Sequence, residues 1–237
     1  MKKLVLMSMV VLSTSAFAKV SSTVGVTSDF IWRGLSLSGG TVAQGSMTYS
    51  HDSGLSVGLF ASEQNTFSAA AAGADGIAGN GNYLTVPYLV YGTAFGEYNV
   101  TVAAQYFNFG DNGKGHSVMN YALSVARGGL KLGAEYMPDY FGKESTDMYL
   151  SLGYTHALDQ GLNAVVAVGQ TTFGDEKKTE MSNYMDMKAA LQRTSADGIM
   201  VEIGVTNSNQ QAVDSTSGDK TDVANTTKTY VSLNKAF

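Results

Sequence analysis

From residue 19 to Phe237 the chain runs as segments of about ten residues in which apolar side chains alternate with small or polar ones, and the joints between them are alternately short and long. The short joints are at His51 to Gly54, Phe95 to Glu97, Arg127 to Gly129, Asp159 to Gly161 and Ser195 to Gly198. The long ones cover residues 33–41, 63–82, 108–116, 138–146, 173–181 and 207–227. A soluble β-sandwich has no reason to alternate in this way. A barrel in an outer membrane does, because its turns are short on the periplasmic side and its loops long outside. The expected fold is therefore all-β: a single transmembrane antiparallel up-and-down barrel of about twelve strands, with both chain ends periplasmic.

The segments fall at 20–32, 41–50, 55–63, 83–94, 98–107, 117–126, 130–137, 147–157, 162–172, 182–193, 199–206 and 227–237. Successive side chains of a strand point to opposite faces, so each segment divides by parity. Met148, Leu150, Leu152 and Tyr154 share one face, and Tyr149, Ser151, Gly153 and Thr155 the other. Ile199, Val201, Ile203 and Val205 likewise oppose Met200, Glu202, Gly204 and Thr206, and Leu130, Leu132, Ala134 and Tyr136 oppose Lys131, Gly133 and Glu135. Charge stays on one face, as expected when a cation at the lipid midplane costs ~2–4 kcal/mol. Two segments divide less cleanly: Leu162 to Val168 is apolar on both faces, and Tyr83 to Tyr91 carries Pro87. Aromatic residues near segment ends, Phe30, Trp32, Tyr49, Tyr88, Tyr91, Tyr98, Tyr106, Tyr136, Tyr154 and Tyr184, are expected to form interfacial girdles.

Residues 1–18 have a charged start at Lys2 and Lys3, an apolar run from Leu4 to Leu12 and a small-x-small ending at Ala16 and Ala18. That is the pattern of a cleaved secretory signal peptide, with residues 19–237 as the mature barrel. Its removal takes two of 15 basic residues and none of 20 acidic ones, leaving a formal charge of −7 and arguing against a nucleic-acid partner. Without cysteine there is neither a disulfide framework nor a thiolate metal site. Nothing in the sequence calls for a cofactor. The acidic tract from Asp214 to Asp222 and the GDNGKGH segment from Gly110 lack the spacing of a calcium loop, and the Ala/Gly-rich stretch from Ala69 to Gly81 reads as an external loop. His51, His116 and His156 stand beside no serine and acid that would complete a catalytic constellation, so no enzyme activity is expected.

Between Val26 and Ser62 the chain carries a T-S-D-aromatic run at Thr27 to Phe30, an aromatic-Arg-Gly at Trp32 to Gly34, T-V-A-Q-G at Thr41 to Gly45 and an S-G before an alternating strand at Ser53 and Gly54. In these elements it resembles the TorF-type porin family of proteobacterial exported proteins. The resemblance implies an outer-membrane barrel with a porin role and names no catalytic residue. Outer-membrane proteins commonly end on an aromatic residue with apolar residues at alternate positions before it. Val231, Leu233 and Phe237 comply, which makes the barrel-assembly machinery an expected partner of the last strand. Lys235 departs from the pattern at a cost of only ~0–1 kcal/mol near the interface.

The inward face supplies the candidate site. Asp29, Arg33, Lys131, Glu135, Asp186, Lys188 and Glu202 are the candidate pore-lining charges. They can form a charged constriction that biases ion passage, or pair off as structural bridges, with Asp29 and Arg33 anchoring the first loop. Ser46, Thr48, Ser56, Gly58, Thr101, Ala103, Ser124, Ser151, Gly153 and Ser232 are small and would leave an aqueous path. The expected function is passive passage of small hydrophilic solutes or ions through an outer membrane. A non-conducting barrel whose loops bind, adhere or brace is the alternative.

Overall fold

The computed structural model describes residues 18–63, 83–110, 117–222 and 227–237. Twelve strands close into one antiparallel barrel. In chain order the elements are β1 (Ala18–Thr27), a short hairpin of β2 (Ile31–Trp32) and β3 (Leu35–Ser36), β4 (Val42–His51), β5 (Leu55–Glu63), β6 (Tyr83–Phe95), β7 (Tyr98–Phe109), β8 (Ser117–Arg127), β9 (Leu130–Met137), β10 (Asp147–Ala157), β11 (Leu162–Phe173), the single-turn helix α1 (Glu176–Thr179), β12 (Tyr184–Thr194), β13 (Ile199–Ser208), a second short hairpin of β14 (Gln211–Val213) and β15 (Lys220–Asp222), and β16 (Thr227–Ala236). Each wall strand pairs with its sequence neighbours in the wall, and β1 closes the ring by pairing with both β4 and β16. The expected signal segment, the connection 64–82, the GDNGKGH segment beyond Gly110 and residues 223–226 lie outside the described residues.

The parity reading is realised in the walls. Along β13, Ile199, Val201, Ile203 and Val205 are exposed on the outside while Glu202, Gly204 and Thr206 are buried within. On β10, Met148, Leu150, Leu152 and Tyr154 face out. The two ambiguous segments resolve in the same way. Val166 and Val168 are exposed, with Val165 and Ala167 on the inner face of β11. In β6, Tyr83, Pro87, Leu89 and Tyr91 face out and Leu84 and Val86 are buried inside. Pro87, which has no N–H to donate, sits where the β6–β7 pairing is interrupted between Thr85↔Asn108 and Tyr88↔Gln105.

All five short joints connect strands at one end of the barrel, where β1 begins and β16 ends. Phe237 is tied to β1 there by backbone hydrogen bonds in both directions with Ser22, at 2.9 and 3.2 Å. Lys235 faces outward, donates to the carbonyl of Asp197 in the 195–198 turn and lies 5.4 Å over the Phe237 ring, so its ammonium is accommodated at the rim.

The first hairpin departs from expectation. The strand expected over 20–32 ends at Thr27, whose hydroxyl donates to the Asp29 carbonyl at 2.7 Å and helps turn the chain off the wall. The connection 28–41 then folds into the barrel instead of standing outside it. Phe30 N–H donates to Ser38 Oγ at 2.8 Å and its carbonyl accepts from Leu37 N–H at 2.7 Å, so these backbone groups are satisfied within the loop and can leave water. Arg33 through Ser38 are buried. Phe30 and Trp32 are thus not girdle residues: Phe30 packs on Phe60, and Trp32 on Phe107 and Phe141 at 5.8 and 6.1 Å between ring centroids. Tyr88, bonded to Thr48, and Tyr184, buried in the interior, also face inward rather than joining a girdle.

Candidate functional site: a loop strut across the barrel interior

At the loop end the interior is filled by an apolar cluster: Leu35 and Leu37 from the inserted loop, Leu84, Val86, Phe107, Val118 and Met137 from the walls, and Tyr140, Phe141 and Met181 from the other connections. Burying Leu35 and Leu37 contributes about 1.5–3 kcal/mol each. At the turn end the inner wall is lined by small polar residues, with Thr23 bonded to Ser46 at 2.7 Å and Ser56 to Ser50 at 2.9 Å.

The tip of the β2–β3 hairpin is the two-residue turn Arg33-Gly34, with φ of 49° and 76°. Turns with both central residues at positive φ match the twist of paired strands. Gly34 is required twice over, since a Cβ there would also lie 2.6 Å from the Asp186 Cβ. The turn projects Arg33 across the interior. Its guanidinium bridges Glu135 on β9 at 2.8 Å and Asp147 on β10 at 2.5 Å. It is also stacked between Trp32 and Tyr149, 4.3 and 4.5 Å from the ring centroids. Arginine suits this position because its planar fork serves two acceptors and both its faces can lie on aromatic rings. Asn120 supports the strut by donating to Glu135 at 3.0 Å and to Gln105 at 2.9 Å.

Of the seven candidate charges, the structure brings Arg33 to Glu135 and Lys188 to Glu202. The second bridge measures 2.8 Å, and Glu202 also accepts from Tyr230 and Gln192. Gly204 leaves the space in which the Tyr230 ring lies. The Asp29–Arg33 pair does not form: Asp29 accepts instead from the hydroxyls of Ser36 and Ser38 at 2.6 and 3.0 Å, because Arg33 has been carried to the far wall. Asp186 accepts from Tyr149 at 3.3 Å, and among the described residues its second carboxylate oxygen is buried without a partner. Lys131 stands exposed near the turn end.

Sequence reasoning missed Asp147, Tyr149 and Tyr230 as parts of this site. For Asp147 the signal was present, since it shares parity with Tyr149 and Ser151 on the inner face, but it stands at the first position of its segment. Its partner lies 114 residues away in sequence. Beneath the hairpin a cavity of about 330 Å³ remains, bordered by Asp29, Phe30, Arg33, Phe60, Tyr149, Asp186, Lys188, Glu202 and Tyr230, among others.

Outside the barrel interior the titratable groups do structural work. His51 bonds Ser53 within its turn at 2.9 Å, and His156 stacks on Tyr154 on β10. Asp214 accepts from the N–H groups of Thr216 and Ser217, so the acidic tract forms a hydrogen-bonded turn. Among the described residues, no three His, Cys, Asp or Glu side chains gather as a metal group.

The model of a bacterial family of unknown function, Gcw_chp, matches residues 13–237. This chain belongs to the Gcw_chp family. No curated protein sequence matches this Gcw_chp chain. Its barrel is similar to the KdgM porin, at a TM-score of 0.56 and 9% identity over 92% of this chain and 99% of that one. It is similar too to the COG4313 outer membrane channel from Pseudomonas putida F1, at 0.51 and 10% identity over 95% and 97% of the two chains. A second KdgM structure, in complex with disordered oligogalacturonate, matches at 0.55 and 9% identity over 92% and 98%. At such identities the likeness is one of fold.

Proposed function

We propose that this Gcw_chp protein is a porin-like channel of a bacterial outer membrane, allowing passive passage of small hydrophilic solutes or ions. The observation that carries this reading is the division of the barrel into an apolar outer wall and a charged interior whose inserted loop leaves a cavity of about 330 Å³. An apolar outer face on a closed barrel, with no free sheet edge, is what a bilayer requires. On this reading Asp29, Arg33, Lys131, Glu135, Asp186, Lys188 and Glu202 border the route, with the Arg33 strut narrowing it. The long loops are extracellular and the short turns periplasmic. Residues 1–18 serve as a cleaved export signal, and the last strand, ending at Phe237, is recognised by the barrel-assembly machinery. The motifs from Thr27 to Gly54 support a place among TorF-type porins. No catalytic role is assigned to any residue.

The oligogalacturonate of the KdgM complex is a chain of acidic sugars. Around the strut and its cavity, among the described residues, the five carboxylates Asp29, Glu135, Asp147, Asp186 and Glu202 outnumber the cations Arg33 and Lys188, with Lys131 apart near the turn end, which argues against carrying that ligand over.

The apolar cluster at the loop end favours a second reading, in which the barrel is closed and the loops carry a binding or bracing function. Planar-bilayer recording with purified, refolded protein separates the two. Discrete conductance steps are expected, and their absence at any applied voltage sinks the channel reading.

A further inference from the structure

The charges around the cavity beneath the β2–β3 hairpin are not balanced. Lys188 is neutralised by Glu202 at 2.8 Å. Arg33, which borders the cavity, directs its two terminal nitrogens to Glu135 and Asp147 outside it, and among the described residues its Nε is buried without a partner. Asp29 and Asp186 remain. Among the described residues, Asp29 is met by the neutral hydroxyls of Ser36 and Ser38. Asp186 is 6% exposed, borders the cavity, accepts from the Tyr149 hydroxyl with one oxygen and, among the described residues, leaves the other buried and unpartnered. A buried carboxylate oxygen in that state is costly and calls for a donor. Lys131 and Lys228, further along the inner face toward the two ends, do not border the cavity.

The remaining lining adds to the argument. Phe30 and Phe60, 5.8 Å apart, present aromatic surface to the same space. Unpaired carboxylates beside aromatic faces recognise a positive charge that also carries apolar surface. The carboxylates are too dispersed for a three-ligand metal group among the described residues, which points away from a divalent metal ion.

We propose that this cavity binds a small organic cation bearing an ammonium or guanidinium group, with Asp186 as its principal acceptor, Asp29 as the second, and Phe30 and Phe60 covering its apolar part. The proposal deepens the channel reading: its transport consequence, a preference for cations over anions, rests on that reading, whereas binding does not.

The test is titration calorimetry of the refolded full chain in detergent with methylguanidinium chloride, at ionic strength held constant with KCl, and with neutral methylurea as control. Fluorescence of Trp32, the single tryptophan, is a second readout. Saturable binding of methylguanidinium and none of methylurea is expected. D186N should weaken binding at least tenfold and D29N severalfold, D186E should retain part of it, and D52N in the exposed 52–54 turn should leave it unchanged. Heat-modifiable migration of each variant on gels shows that the barrel has formed. No saturable binding by the wild type, equal binding of methylurea, or wild-type affinity in both folded D186N and D29N would overturn the proposal. Reversal potentials in a KCl gradient then separate it from the channel reading. Conductance without cation preference counts against the cation site, and binding without conductance overturns only the channel.

Discussion

Arg33 is the residue on which the interior depends. Its turn places a non-glycine side chain at positive φ, a conformation that costs on the order of 1–3 kcal/mol, and the two carboxylates and two aromatic rings it reaches offset that cost. Arg33→Ala would leave Glu135 and Asp147 without their cation. Removing one partner of a buried bridge costs about 3–5 kcal/mol, so the hairpin is expected to leave the interior and let water reach the carboxylates. The expected outcome is a lower thermal unfolding temperature together with a larger single-channel conductance. Arg33→Lys should fall between, since one ammonium cannot span both acceptors as the guanidinium fork does. Unchanged conductance in folded Arg33→Ala would show that the strut does not narrow the route.

At the scale of elements, the strands obey a rule that the loops do not. Leu152 and Ser151 are neighbours on β10, yet Leu152 is exposed on the outer wall and Ser151 faces in. Leu152→Arg is expected to cost ~2–4 kcal/mol more than Ser151→Arg in membrane-inserted stability, read as folded yield in vesicles, because only the first places a cation in lipid. Beyond the apolar cluster they share, the loops also hold to one another by polar contacts. Glu176 in α1 accepts from Asn183 N–H at 2.7 Å and pairs with Lys220 of β15 at 2.7 Å. Burial by itself would raise its carboxyl, but these two partners outweigh it and hold it below the usual carboxylate range. A depressed carboxylate contributes stability that is fully present above its unfolded value, 4.5, and lost as pH falls through the folded one. Spin labels at Lys177→Cys and Ser217→Cys should therefore report a distance distribution that broadens as pH falls below that value. In Glu176→Gln it should already be broad at neutral pH.

At the scale of the whole molecule, closure and orientation follow from the strand count and the connections. An even number of strands places the start of β1 and the end of β16 together at the turn end, where Phe237 is knitted to Ser22. If the long loops are extracellular, Ser215→Cys in the β14–β15 connection should react with a membrane-impermeant maleimide on intact cells. Ser53→Cys, in the 52–54 turn, should react only after the outer membrane is opened. The reverse pattern would invert the proposed orientation.

The period-two pattern carried much of this fold on its own. Which residues form wall strands, which side of each wall faces out, and where the five short turns fall all depend on local alternation, and alternation is legible because lipid and lumen impose opposite selection on successive side chains. The end of β1 at Thr27 was less legible, since Phe30 and Trp32 continue the same aromatic and apolar character while packing inward. The strut needed the closed barrel. Arg33 meets Glu135 and Asp147 across 102 and 114 residues of sequence, and no local pattern records that contact, because it exists only once the curvature of the strands has brought β9 and β10 opposite the first loop.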